Sequence, residues 1–82
     1  MSIFYVYVLR SLKDGTYYYG STNNIDKRLE EHNKGKMRYT KGRMPWKLHY
    51  FEQYPSRSEA MKREQFFKSI GGYVYLKEFQ II

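Results

Sequence analysis

The chain has no cysteine among its 82 residues, which excludes a disulfide framework, a thiolate metal site and a thiol nucleophile. It has only two prolines and six glycines, and no stretch of it reads as a linker, a repeat or a low-complexity segment. No apolar run comes near the roughly 18 residues that a membrane helix requires. Met1–Tyr5 lacks the basic start and long apolar stretch of a secretory leader. These absences predict a soluble, cytoplasmic protein with no membrane partner. Acidic residues are missing from one stretch, Lys34 to Lys47, which carries Lys34, Lys36, Arg38, Lys41, Arg43 and Lys47. Nearly all of the net charge of +7 therefore sits in one block, suited to phosphate backbones. Met37, Tyr39 and Trp46 interleave that block with apolar faces for stacking on bases; the plainer reading is a solvated loop.

Residues 1–82 read as one domain. A chain of this size buries only about 60% of its unfolded surface, and the ten tyrosines and five phenylalanines offset that thin core with large buried areas. Ile3 to Leu9 is β-branched and aromatic and predicts a strand. Asp14-Gly15 is a tight-turn signal, and Thr16 to Ser21 predicts the returning strand. A two-residue turn there would put Tyr7 and Tyr18 on one sheet face. Thr22, Asn23 and Asn24 offer helix caps and Gly35 a stop, with Ile25 and Leu29 marking the apolar face between them. The basic block follows as a loop broken by Gly42 and Pro45. Trp46 to Phe51 predicts a third strand ended by Pro55, and Ser56 with Glu59 forms a capping box. The helix it opens is expected to run to about Ile70, bury Ala60, Phe67 and Ile70, and stop at Gly71-Gly72. The tail, Tyr73 to Ile82, fits a short helix better than a strand. The order β-β-α-β-α-α describes an α+β fold, a small three-stranded antiparallel sheet flanked by helices.

Five side chains carry candidate chemistry, each against a plainer alternative. Tyr7 and Tyr18 are strand tyrosines, ordinarily core residues; a phenol acts as acid or base where cations or a metal lower its pKa. Arg28, beside an apolar helix stripe, either snorkels to solvent or offers its fork of donors to phosphate. His32, four residues on, is its neighbour on the helix, and is either a hydrogen-bonded core histidine or a proton carrier. Glu64 lies at the margin of the apolar face of its helix. It is either a surface carboxylate paired with Lys68 or the single carboxylate that Mg²⁺ commonly takes beside waters and a phosphate.

Tyr5-Val6-Tyr7, Tyr18-Tyr19-Gly20, the segment Arg28 to His32, and the helix Ser58 to Glu64 together resemble the GIY-YIG nuclease family, and the likeness spans roughly Ile3 to Ser69. Tyr5 stands in place of the first glycine and Tyr19 in place of the central isoleucine. The chain has no asparagine after Asn33, where many family nucleases carry one in the last helix. The resemblance implies a three-stranded sheet and Mg²⁺- or Mn²⁺-dependent endonuclease cleavage of DNA phosphodiesters. In that scheme Tyr7 is the general base or orients the attacking water, Tyr18 supports it or contacts the phosphate, and Gly20 gives close backbone approach. Arg28 stabilises the transition state, His32 assists proton transfer and Glu64 ligates the metal. With only the basic block for DNA contact, recognition would rest on DNA structure such as branches, flaps or ends, or on a partner protein or homodimer. Two other readings remain: a non-catalytic nucleic-acid-binding module on a nuclease-derived fold, and a protein-interaction domain using its aromatic surface.

Overall fold

The apolar run Phe4–Ser11 forms β1, the middle strand of a three-stranded antiparallel sheet in a computed structural model that describes residues 3–82. Its neighbours are β2, Tyr17–Thr22, and β3, Trp46–Tyr54, in the order β2-β1-β3. Helix α1, Ile25–Asn33, follows β2; α2, Arg57–Phe67, and α3, Ile70–Glu78, follow β3. The α+β class and the order β-β-α-β-α-α stand as the sequence predicts.

β1 is covered on both faces, and Val6, Tyr7, Val8 and Leu9 are all buried. Val6 and Val8 pack with Phe67 and Leu76 under α2 and α3. Tyr7 and Leu9 pack with Trp46, and Ile25 and Leu29 of α1 close that side. A strand buried on both faces reads as a continuous apolar run, as this one does.

The β1–β2 connection is longer than a two-residue turn. The last β1 residue, Ser11, donates its N–H to the Thr16 carbonyl at 2.8 Å, and its hydroxyl accepts from the N–H groups of Lys13 and Asp14. The Asp14 carboxylate accepts from the Thr16 N–H and hydroxyl. Tyr7 therefore faces Gly20 across the strands, and Leu9 faces Tyr18. A two-residue turn would have set Tyr7 opposite Thr22. The change is an even number of positions, so Tyr7 and Tyr18 still share a face.

β3 extends to Tyr54 and carries a bulge: Val8 pairs with Tyr50 but Leu9 pairs with Leu48. His49 is the extra residue, and it switches the facing of the strand. Trp46 and Leu48 join Tyr7 on the α1 side, while Tyr50 joins Val8 on the α2 side.

Gly71-Gly72 does not stop a helix. α2 ends at Phe67, and Ser69 starts α3, its hydroxyl accepting the Gly72 N–H at 3.1 Å. A Cβ on Gly72 would drive into the Phe66 carbonyl, so the glycine permits the close turn of α3 against α2. Ile70, expected in the core, is 85% exposed because it begins the new helix. The tail is helical as predicted, from Ile70 rather than Tyr73. Asn24 and Ser56 cap α1 and α2 through the N–H groups of Lys27 and Glu59. No helix among the described residues is long and apolar enough to cross a membrane.

Candidate active site

Tyr7 projects from the central strand toward α1 and lies across the outer strand β2 at Gly20. A Cβ at Gly20 would collide with the phenol ring and hydroxyl of Tyr7. The glycine gives room to a side chain, where close approach of the backbone was expected. The Tyr7 hydroxyl sits 3.2 Å from Nε2 of His32, a residue of α1 that is fully buried. The other ring nitrogen, Nδ1, is 2.8 Å from the Thr40 hydroxyl, and the Thr40 carbonyl accepts the Trp46 indole N–H at 3.0 Å. Asn33 clamps the Trp46 backbone, accepting from its N–H at 2.6 Å and donating to its carbonyl at 2.9 Å.

The hydrogen-bond directions along this chain are coupled. Thr40 donates its hydroxyl to the Met37 carbonyl, so it accepts from Nδ1–H, and Nε2 is left to accept from Tyr7. Burial, reinforced by Arg28, holds the His32 pKa below its ordinary value, so the ring is neutral at pH 7. Burial, reinforced by Tyr18, pushes the Tyr7 phenol above its ordinary range; Arg28 opposes this and Glu64 adds to it. The lowered phenol pKa envisaged from sequence is thus reversed in the protein alone, and a base role for Tyr7 needs a proton acceptor beside it.

Tyr18 adjoins the same group, its ring centroid 5.0 Å from that of His32 and 6.4 Å from that of Tyr7. Arg28 is part-exposed and pairs with Glu31 at 3.5 Å. Its charge reaches both Tyr7 and His32.

Glu64 approaches from the other side of the sheet. Ser21, next to Gly20 on β2, faces Val6 and so points toward α2; its hydroxyl donates to Glu64 Oε1 at 2.7 Å. Lys68 donates to Oε2 at 2.6 Å. The candidate site thus straddles the outer strand, with Tyr7, Tyr18, His32 and Arg28 on one side and Glu64 on the other. Among the described residues no cluster of three or more histidine, cysteine or acidic side chains is placed to hold a metal. A single carboxylate oriented by Ser21 fits a hard cation that completes its shell with water and phosphate oxygens. It does not fit a caged protein site. Lys68 would have to leave Oε2, which its exposed position allows.

The basic block is less uniform than its sequence. Lys34 pairs with Glu30 and Arg43 with Asp14, so acids from elsewhere reach it. Lys36, Arg38 and Lys41 are exposed, with no carboxylate partner among the described residues. Lys47 pairs with Arg10 across the strands and points to the face opposite Tyr7. Trp46 is buried and unavailable for stacking, whereas Tyr39 is 66% exposed and packs on Tyr18 at 5.9 Å.

Thr40, Asn33 and Ser21 belong to this arrangement and were not singled out from the sequence. Alternation along β2 places Ser21 on the face away from Tyr18 and Gly20 and so could have found it. Thr40 lies in a charged loop with no periodicity to mark it.

Comparison with known proteins agrees with this architecture. The pattern of the GIY-YIG catalytic domain matches residues 3–71. A UPF0213 protein of Bacillus licheniformis is 52% identical over 67 residues, 80% of this chain and 68% of that protein. A UPF0213 protein of Halobacterium salinarum is 45% identical over 67 residues, 80% of this chain and 86% of that protein. The solution NMR structure of a UPF0213 protein from Bacillus halodurans superposes with a TM-score of 0.55 at 38% identity, covering 94% of this chain and 84% of that one.

Proposed function

Because this chain belongs to the GIY-YIG family, a family of nucleases that implies nucleic acid as the partner, we propose that it is a DNA endonuclease of the cytoplasm. It hydrolyses phosphodiester bonds at the outer edge of β2 with Mg²⁺ or Mn²⁺ held at Glu64. The observation that carries this reading is the buried Tyr7–His32 hydrogen bond of 3.2 Å, with the phenol lodged where Gly20 has no side chain.

In this mechanism the attacking water gives its proton to the Tyr7 oxygen as the Tyr7 proton passes to Nε2 of neutral His32. The hydroxide so formed bonds to phosphorus, the P–O bond to the leaving nucleoside breaks, that oxygen takes a proton from solvent, and His32 returns its proton through Tyr7 to solvent, which restores the neutral pair. The Tyr7 pKa, raised by burial, makes the relay necessary, because the phenol does not hold a free negative charge at pH 7. Thr40 keeps His32 in the tautomer that can accept. Arg28 offers its donors to the charge that builds on the phosphate oxygens. A divalent cation at Glu64 would supply Lewis-acid stabilisation of the same phosphate. Ser21 orients the carboxylate for it, and Lys68, displaced from Oε2, becomes free for a phosphate oxygen.

Cleavage of labelled duplex, flap, branched and single-stranded DNA with Mg²⁺ or Mn²⁺ tests the reading. Tyr7→Phe and Glu64→Ala are each expected to lower cleavage by about 10²-fold or more while the thermal melt stays cooperative. Wild-type rates in both variants overturn it. The alternative, a non-catalytic nucleic-acid-binding module, draws on the absence of asparagine after Asn33 and on the closure of Glu64 by Lys68. It predicts salt-sensitive binding with no cleavage of any DNA in the panel.

A further inference from the structure

A groove of about 550 Å³ crosses the outer strand beside the candidate site, lined by five of the ten tyrosines: Tyr17, Tyr18, Tyr19, Tyr39 and Tyr73. It joins both halves of that site. Tyr18 is shared with the Tyr7–His32 side, and Lys68, which also lines the groove, touches Glu64. None of the lining residues is acidic. The two most open rings, Tyr39 at 66% and Tyr73 at 54% exposure, each have a cation near one face: Arg43 lies 5.5 Å from the Tyr39 centroid and Lys77 lies 5.7 Å from that of Tyr73.

We infer that this groove binds unpaired nucleotides, stacking their bases on Tyr39 and Tyr73 and setting their phosphates against Arg43, Lys68 and Lys77. The inference rests on the nuclease reading for its placement at the site and goes beyond it by naming single-stranded nucleic acid as what the site takes. A duplex shows base edges in its grooves and hides the faces of its bases. Exposed tyrosine rings interleaved with cations suit bases whose faces are free, and such stacking tolerates any sequence. The interleaving differs from that read in the basic block. Of Met37, Tyr39 and Trp46, only Tyr39 takes part, and its companion Tyr73 comes from α3, far away in sequence.

Fluorescence anisotropy in EDTA, where cleavage is suppressed, measures the affinity of a short labelled oligothymidine and of a duplex of equal length. The single strand is expected to bind more tightly. Tyr39→Ala and Tyr73→Ala should each weaken it about five- to a hundredfold, the range set by the stacking energy per base. Tyr39→Phe and Tyr73→Phe should retain binding, because the ring remains. The salt dependence should not change in any of the four, since no cation is removed. Both rings are exposed, so the variants keep the fold. Equal or tighter duplex binding, or alanine variants that bind as the wild type does, overturns the inference. Tyrosine-dependent binding without cleavage on adding Mn²⁺ would sink the catalytic reading and leave the groove standing. Duplex cleavage that is indifferent to Tyr39→Ala would do the reverse.

Discussion

The two faces of β1 are built for different tasks. Toward α2 and α3, Val6 and Val8 meet Phe67 and Leu76, and the Glu52–Arg63 ion pair beside them is locked. The Glu52 carboxylate accepts from Arg63 at 2.8 and 3.2 Å and from the hydroxyls of Tyr50 and Tyr54. The Arg63 guanidinium in turn lies 4.6–5.0 Å from the ring centroids of Phe66, Phe67 and Tyr75. Toward α1, the alternate residues Tyr7 and Leu9 meet a chain of neutral polar groups, Tyr7, His32 and Thr40. A saturated ion pair holds position but has no proton to pass. A neutral tyrosine–histidine pair in the same low dielectric can move one. One side of the strand thus carries a locked ion pair, and the other a hydrogen-bonded pair through which a proton can move.

The sharpest way to break this comparison is Leu76→Ala. Loss of a fully buried leucine should cost about 2–5 kcal/mol in a urea denaturation, while cleavage per folded molecule stays near the wild-type rate at low temperature. If the large loss falls on rate and not on stability, the division of labour is wrong.

A pH titration of stability separates the faces further. The His32 pKa is lowered by burial, so the unfolded chain binds the extra proton first. Stability is then full above the unfolded value of about 6.5 and is lost as pH falls from there toward the lower folded value. Burial alone would raise the Glu52 pKa, but its hydrogen bonds from Arg63, Tyr50 and Tyr54 win and lower it. Its contribution is full above the unfolded value of about 4.3 and is lost only as pH falls below that. His32→Gln should flatten the first phase and Glu52→Gln the second. Loss of one and the same phase in both variants would merge the two faces into one unit.

The smallest effect is expected at Lys68→Ala. The pair with Glu64 is half-exposed on the lysine side and should contribute no more than about 0.5 kcal/mol to folding. Mn²⁺ binding to Glu64, measured by calorimetry, should nonetheless strengthen, because the cation no longer competes with an ammonium. Weaker Mn²⁺ binding would assign Lys68 a supporting role in place of a competing one.

The β-branched and aromatic run Ile3 to Leu9, the Asp14-Gly15 turn signal and the cap residues Asn24 and Ser56 were enough to read the sheet, its helices and the shared face of Tyr7 and Tyr18. The shared face survives a misjudged turn because only parity matters. What the sequence hid was set by tertiary contacts. Gly71-Gly72 looks like a helix stop because nothing local shows the Phe66 carbonyl that Gly72 must clear. Lys47 looks like part of a cationic block until cross-strand pairing with Arg10 turns it to the other face. Thr40 gains its place only from His32 and Trp46, which lie on different elements.

The extra residue in β3 gives that strand two reading frames. Before His49, even-numbered residues face α1; after it, odd-numbered ones do. A substitution at His49 leaves both frames intact, and so would its deletion, which sets Leu48 opposite Leu9 and Tyr50 opposite Val8 in plain alternation; a one-residue deletion further along the strand would instead turn the residues beyond it to the wrong face. The strand can thus absorb a change of length at position 49 that it cannot absorb elsewhere, and descendants of this chain are free to vary the letter there or to omit it, at the loss of the ring's contacts with Tyr17 and the Ile81 carbonyl.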